Sequence, residues 1–113
     1  MLARRAALLA GLAAVARATR ARAAEAEITI DNFVFTPAMI TVAAGTKVTW
    51  TNRDDIPHTV VCAGKFRSKT MDTDGTFSFT FTEPGEYKYF CSLHPHMTGT
   101  VVVEAAAGEK TTQ

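Results

Sequence analysis

At 113 residues, 47% hydrophobic and 20% charged, the chain has room for one domain with a modest core and does not have the composition of a disordered or fibrous protein. Its formal charge of +1 joins two unlike parts: residues 1–24 hold five of the twelve Lys and Arg and none of the eleven Asp and Glu, so the remainder has seven basic against eleven acidic residues, a net −4. A mildly acidic remainder lacks the basic footprint that a phosphate backbone requires, which argues against nucleic acid as a partner.

The first segment reads as a cleavable export signal over 1–24. Met1 to Arg5 is a basic start, Ala6 to Ala16 is an uncharged apolar run, and Ala21-Arg22-Ala23 is a small-x-small site. The run is far shorter than the roughly 20 residues that a membrane-spanning helix needs. Its arginines cluster at the ends and not along one face, which argues against an amphipathic surface helix. Arg4 and Arg5 suit a twin-arginine signal without its fuller pattern, so both export routes stay open. A periplasmic location is expected on this pattern.

From Glu25 onward the signals are those of short strands. Ile28 and Ile30, Ile40 and Val42, and Val48 and Trp50 each repeat at period two, with Pro37 and Gly45 marking turns between them. His58 to Cys62 continues the series. Ala63 to Asp74 is the least patterned stretch, locally basic through Lys65, Arg67 and Lys69, and reads as a solvated loop. Thr76 to Thr82 then alternates fully, with Phe77, Phe79 and Phe81 on one face and hydroxyls on the other. Glu83-Pro84-Gly85-Glu86 is a turn, after which Tyr87, Tyr89 and Cys91 share a face, so the thiol points inward. Thr100 to Glu104 closes the series before a small and polar tail. About seven strands at this spacing predict an all-β antiparallel sandwich over 25–104, with 105–113 a flexible tail.

The segment FCSLHPHMTG, Phe90 to Gly99, concentrates one of two cysteines, two of three histidines and a methionine. Cys91, His94 and Met97 stand at Cys-x-x-His-x-x-Met, a spacing that lets a loop fold three side chains round one point. His58 is the natural second imidazole, because His96 lies between two of these residues and would turn away. Two imidazoles and a thiolate, with a weak axial thioether, form the donor set of an electron-transfer copper site cycling between Cu(I) and Cu(II). Structural zinc has little use for a thioether. Cys62 is expected as a buried free thiol, since pairing it with Cys91 would consume the only thiolate available to the set.

With these motifs the chain resembles the cupredoxin family, most closely the amicyanins, with pseudoazurin and plastocyanin more distant. The resemblance runs over residues 26–104 and rests on VTWTNRDDIPHTV (Val48 to Val60), FTEPGEYKYFC (Phe81 to Cys91) and HPHMTGTVVVE (His94 to Glu104). It implies a Greek-key sandwich and a periplasmic blue copper protein with His58, Cys91, His94 and Met97 as ligands to one copper ion. Such a protein is a soluble, monomeric one-electron carrier and not an enzyme, with an amine dehydrogenase as donor and a c-type cytochrome as acceptor. The alternative is a copper-binding module for storage, delivery or resistance. Around the ligands, Asn52 resembles a family asparagine that ties the two ligand segments together, and Ser92 is its expected partner. Leu93 stands where amicyanins tend to have proline, so its amide is expected to donate to the Cys91 sulfur. His96, with Pro57 and Pro95, is expected to border the exposed edge of His94, where a partner would dock.

Overall fold

The computed structural model describes residues 24–106. The expected export signal and C-terminal tail fall almost wholly outside them. Nine strands follow in order: β1 (Glu25–Asp31), β2 (Val34–Thr36), β3 (Met39–Ala43), β4 (Thr46–Asn52), β5 (Val61–Cys62), β6 (Phe66–Arg67), β7 (Thr76–Phe81), β8 (Gly85–Phe90) and β9 (Thr98–Glu104). Strong alternation explains the long ones. In β4, for example, Thr46, Val48, Trp50 and Asn52 are buried while the residues between them are more open.

The strands form two sheets, ordered β2-β1-β4-β7 and β3-β9-β8-β5-β6. Their facing sides enclose a core of Ile28, Ile30, Phe35, Val48, Trp50, Val60, Phe81, Tyr89 and Val101, all at most 1% exposed. Tyr89 stands edge-on to Trp50 and Phe35, at centroid distances of 5.3 and 4.7 Å, and burial pushes its phenol up to about 12.

Three features differ from the sequence expectation. The sandwich is not wholly antiparallel: β1 runs parallel to β4 in one sheet, and β3 parallel to β9 in the other. A parallel pair normally needs a helical crossover. Here the chain passes from one sheet to the other between the paired strands, and that passage replaces the helix.

The segment from His58 to Cys62 is also not a strand throughout, since only Val61 and Cys62 pair as β5. Its five residues are all buried, so alternation says nothing about their facing. His58 is held instead by a single bridge to Met71, with the His58 amide donating to the Met71 carbonyl at 3.2 Å and the reverse bond at 2.9 Å.

The basic stretch after β5 is more than a solvated loop. Lys65, Arg67 and Lys69 are exposed, but the residues alternating with them turn inward. Phe66 packs its ring 4.5 Å from Phe79, 5.7 Å from Phe77 and 5.9 Å from Phe81, covering the aromatic face of β7. Ser68 accepts from the Val60 amide, and Met71 enters the core. Cys62 is free and buried, as expected.

Candidate metal centre

One end of the sandwich gathers the soft donors. Cys91 follows the last residue of β8 and is fully buried, so the alternation that turned Tyr89 inward carries the thiol inward too. The chain then closes on itself: the His94 amide donates to the Cys91 carbonyl at 3.2 Å, the Met97 amide to the His94 carbonyl at 2.9 Å, and the Cys91 amide to the Met97 carbonyl at 3.1 Å. Steps of three residues thus become successive hydrogen-bonded turns, which is why Cys-x-x-His-x-x-Met compacts round one point. Met97 is 5% exposed, His94 is half-buried, and His96 points to solvent.

His58 comes from the other segment, between β4 and β5, and has no exposed surface. The Nδ1 atoms of His58 and His94 lie 3.7 and 3.6 Å from the Cys91 sulfur, and one ligand atom from each of the three residues falls within 4.8 Å of the others. An ion bonded to nitrogen at about 2.0 Å and sulfur at about 2.3 Å, with angles near 120°, separates N and S donors by about 3.7 Å. The spacing therefore fits one transition-metal ion among the three. Nitrogen and sulfur together select a soft or borderline metal, and the buried Met97 beside them favours copper over zinc.

The ionisation of the site suits such an ion. Burial pushes the Cys91 thiol up, but the Thr59 amide at 3.3 Å, the two imidazoles and the Thr59 hydroxyl at 3.7 Å outweigh it and bring the thiol down to about 6. A thiolate is the form that binds metal. On the far side of His58, Nε2 lies 2.8 Å from the Asp54 carboxylate. A carboxylate only accepts, so Nε2 carries the proton and Nδ1 keeps its lone pair for the metal. Bonding to His58 first, and to the Phe33 amide next, holds the Asp54 carboxyl below its usual range.

The tie between the two ligand segments is Thr59, not Asn52. The Ser92 amide donates to the Thr59 hydroxyl at 2.8 Å, and the two hydroxyls meet at 2.8 Å. Asn52 serves its own side of the site: its amide donates to the Ile56 and Met71 carbonyls, both at 3.0 Å, and its oxygen accepts from the Asp54 amide at 2.9 Å. It braces the turn that carries Asp54 and His58. The Leu93 amide does not reach the Cys91 sulfur either; among the described residues the amide and hydroxyl donors to that sulfur are both in Thr59. Thr59 and Asp54 are close to His58 in the chain, next to it and four residues before it, and that proximity is the signal sequence reasoning could have used. Phe33, whose ring meets both imidazoles, carries no signal in the sequence.

A family model described as a cupredoxin-like domain matches residues 4–103. Amicyanin-alpha of Methylorubrum extorquens is 37% identical over 105 residues, covering 88% of this chain and 87% of that protein. Amicyanin of Paracoccus versutus is 37% identical over 81 residues, covering 66% of this chain but only 61% of that protein. Among solved structures, a purple cupredoxin from Nitrosopumilus maritimus superposes with a TM-score of 0.68 at 34% identity, over 70% of this chain and 99% of that one. A reduced-state amicyanin mutant gives a TM-score of 0.68 at 34% identity, over 71% and 82%.

Proposed function

This chain belongs to the cupredoxin-like domain family, and we propose that it is a blue copper electron carrier whose ion is held by His58, Cys91, His94 and Met97. The observation that carries this reading is the convergence of two Nδ1 atoms at 3.6 and 3.7 Å on a buried sulfur. A bound copper ion supplies the one-electron Cu(I)/Cu(II) couple.

The protein's own residues make that couple fast and retain the ion. Cys91 and His58 are fully buried and His58 is fixed by Asp54 and by the Met71 bridge, so little moves when charge changes. Met97, buried in the turn that closes on Cys91, would supply the weak thioether donor to a bound copper ion. His94 is the half-buried member, and beside it are the exposed residues Leu93, Pro95 and His96. Electrons pass through this edge to and from redox proteins docked there.

An amine dehydrogenase as donor and a c-type cytochrome as acceptor are the partners to try first, since this chain resembles the amicyanins. The basic and apolar N-terminal pattern supports export to the periplasm, where the carrier works as a monomer without enzymatic activity of its own.

The test is to load the purified protein with Cu(II). An intense visible band and a reversible one-electron wave are expected, both lost in Cys91→Ser. A colourless wild-type protein refutes the reading. A site that surrenders its ion at once to a competing chelator points instead to copper delivery.

A further inference from the structure

The hairpin joining β1 to β2 is built against its own preference. Asp31 pairs with Val34 across a two-residue turn, and both central residues are left-handed, Asn32 at φ 56° and Phe33 at φ 63°. Turns of this kind take Asn followed by Gly, because glycine alone adopts that backbone without steric cost. Asn32 conforms and Phe33 does not. Core burial does not account for the phenylalanine, since 43% of its surface is exposed. Strain of this sort persists where surrounding contacts impose it, and it gathers at functional sites.

Those contacts all lead to the metal centre. The Phe33 ring stands edge-on to His58 at 5.5 Å and 90°, and to His94 at 5.0 Å and 87°. Its amide donates to Asp54 Oδ2 at 3.0 Å, the same oxygen that accepts from His58 Nε2 at 2.8 Å. The hairpin tip is therefore tied to His58 through both ring and carboxylate. For His94, the ring and hydrogen-bond contacts of the imidazole among the described residues are those with Phe33, the Cys91 sulfur and the His58 ring.

Resting on the copper reading above, we infer that Phe33 is a positioning residue for the imidazole pair, locked by Asp54, and that the strained turn is retained because it holds His94 in place. The ring bars the path by which His94 would swing off the metal and by which a small outside ligand would replace it.

The experiment uses the full protein with Phe33→Gly, Phe33→Leu and, as a neighbouring exposed control, Val34→Ala. Urea titration of the apoproteins is expected to put Phe33→Gly at or above the wild-type midpoint, because glycine relieves the left-handed residue. Transfer of copper from the same variant to excess EDTA is expected to be about tenfold faster, the rate equivalent of losing two edge-on ring contacts. Free imidazole is expected to alter its visible spectrum and not that of the wild type. Phe33→Leu, apolar but without a ring, should also release copper faster, and Val34→Ala should match the wild type.

Wild-type release and spectrum in Phe33→Gly overturn the inference. So does a Phe33→Gly apoprotein that loses stability along with its copper, which would mark Phe33 as merely structural, and so does a Val34→Ala variant that releases copper as fast. A wild-type protein that takes up no copper overturns the copper reading itself, and this inference with it.

Discussion

Replacing Thr59 by Val keeps the shape and removes one oxygen at the point where the two ligand segments meet. A hydroxyl has one donor and two acceptor positions, and the neighbours of Thr59 fill all three: the Ser92 amide and hydroxyl donate to it at 2.8 Å, and it donates to the Cys91 sulfur at 3.7 Å. Each neutral bond is worth about 0.5–1.5 kcal/mol net. Ser92 is exposed and its groups rehydrate, whereas the sulfur has no access to water. Thr59→Val should therefore destabilise the apoprotein by about 1–3 kcal/mol in urea.

The copper form gives a sharper test. A donor to the sulfur withdraws electron density and favours the reduced state, so its removal lowers the reduction potential. At 3.7 Å the bond is long and weak. A differential of about 0.5–1 kcal/mol corresponds to a fall of roughly 20–45 mV, since a tenfold change in equilibrium is 59 mV for one electron. The shorter bond from the Thr59 amide at 3.3 Å survives the substitution and keeps the remaining contact constant. Cyclic voltammetry of wild type, Thr59→Val and Thr59→Ser decides the matter. A potential that rises or holds in Thr59→Val, or falls equally in Thr59→Ser, refutes the reasoning.

Asn52→Ala deprives the Ile56 carbonyl and the Asp54 amide of their side-chain partner and the Met71 carbonyl of one of its two donors, and should cost about 2–4 kcal/mol in urea denaturation. Gly99 lies opposite Tyr89 in the β8–β9 ladder, and a Cβ there would fall on the Tyr89 ring and hydroxyl, far inside van der Waals contact. Gly99→Ala should thus lose about 1–3 kcal/mol by overpacking, and Tyr89→Phe should not rescue it, because the ring carbon is struck as well. The Cys91 thiol sits at about 6 in the folded apoprotein against 9.0 for a free thiol. A depressed acid stabilises the fold fully above its unfolded value and loses that contribution as pH falls toward its folded value. The urea midpoint of the apoprotein, taken relative to Cys91→Ser, should accordingly rise from pH 6 to pH 9, and a flat difference would contradict it.

Much of this protein is legible in one dimension because it depends on neighbours along the chain. The period-two pattern in Thr76 to Phe81 and Tyr87 to Cys91 is a property of the pleat, so it places β7 and β8 and turns the thiol inward whatever the remaining strands do. The three-residue steps from Cys91 to Met97 become consecutive turns by local bonds alone.

What lies beyond the sequence is set by contacts between distant segments. The meeting of His58 with Cys91, 33 residues apart, can be expected from the donor set but is realised only where the sheets close together. Ser92 is the partner expected for Asn52, yet which side chain bridges two segments depends on their relative height in the fold, and Thr59 occupies that position. Alternation is uninformative from His58 to Cys62, where both sides are covered, and it hides the inward residues of a stretch that looks merely basic. Parallel pairing of β1 with β4 follows from how the chain crosses between layers, and the aromatic edge that Phe33 presents to two imidazoles from where the β1–β2 hairpin tip falls against the two distant ligand segments. A residue's own neighbours determine which way its side chain points; only the folded chain decides what it meets there.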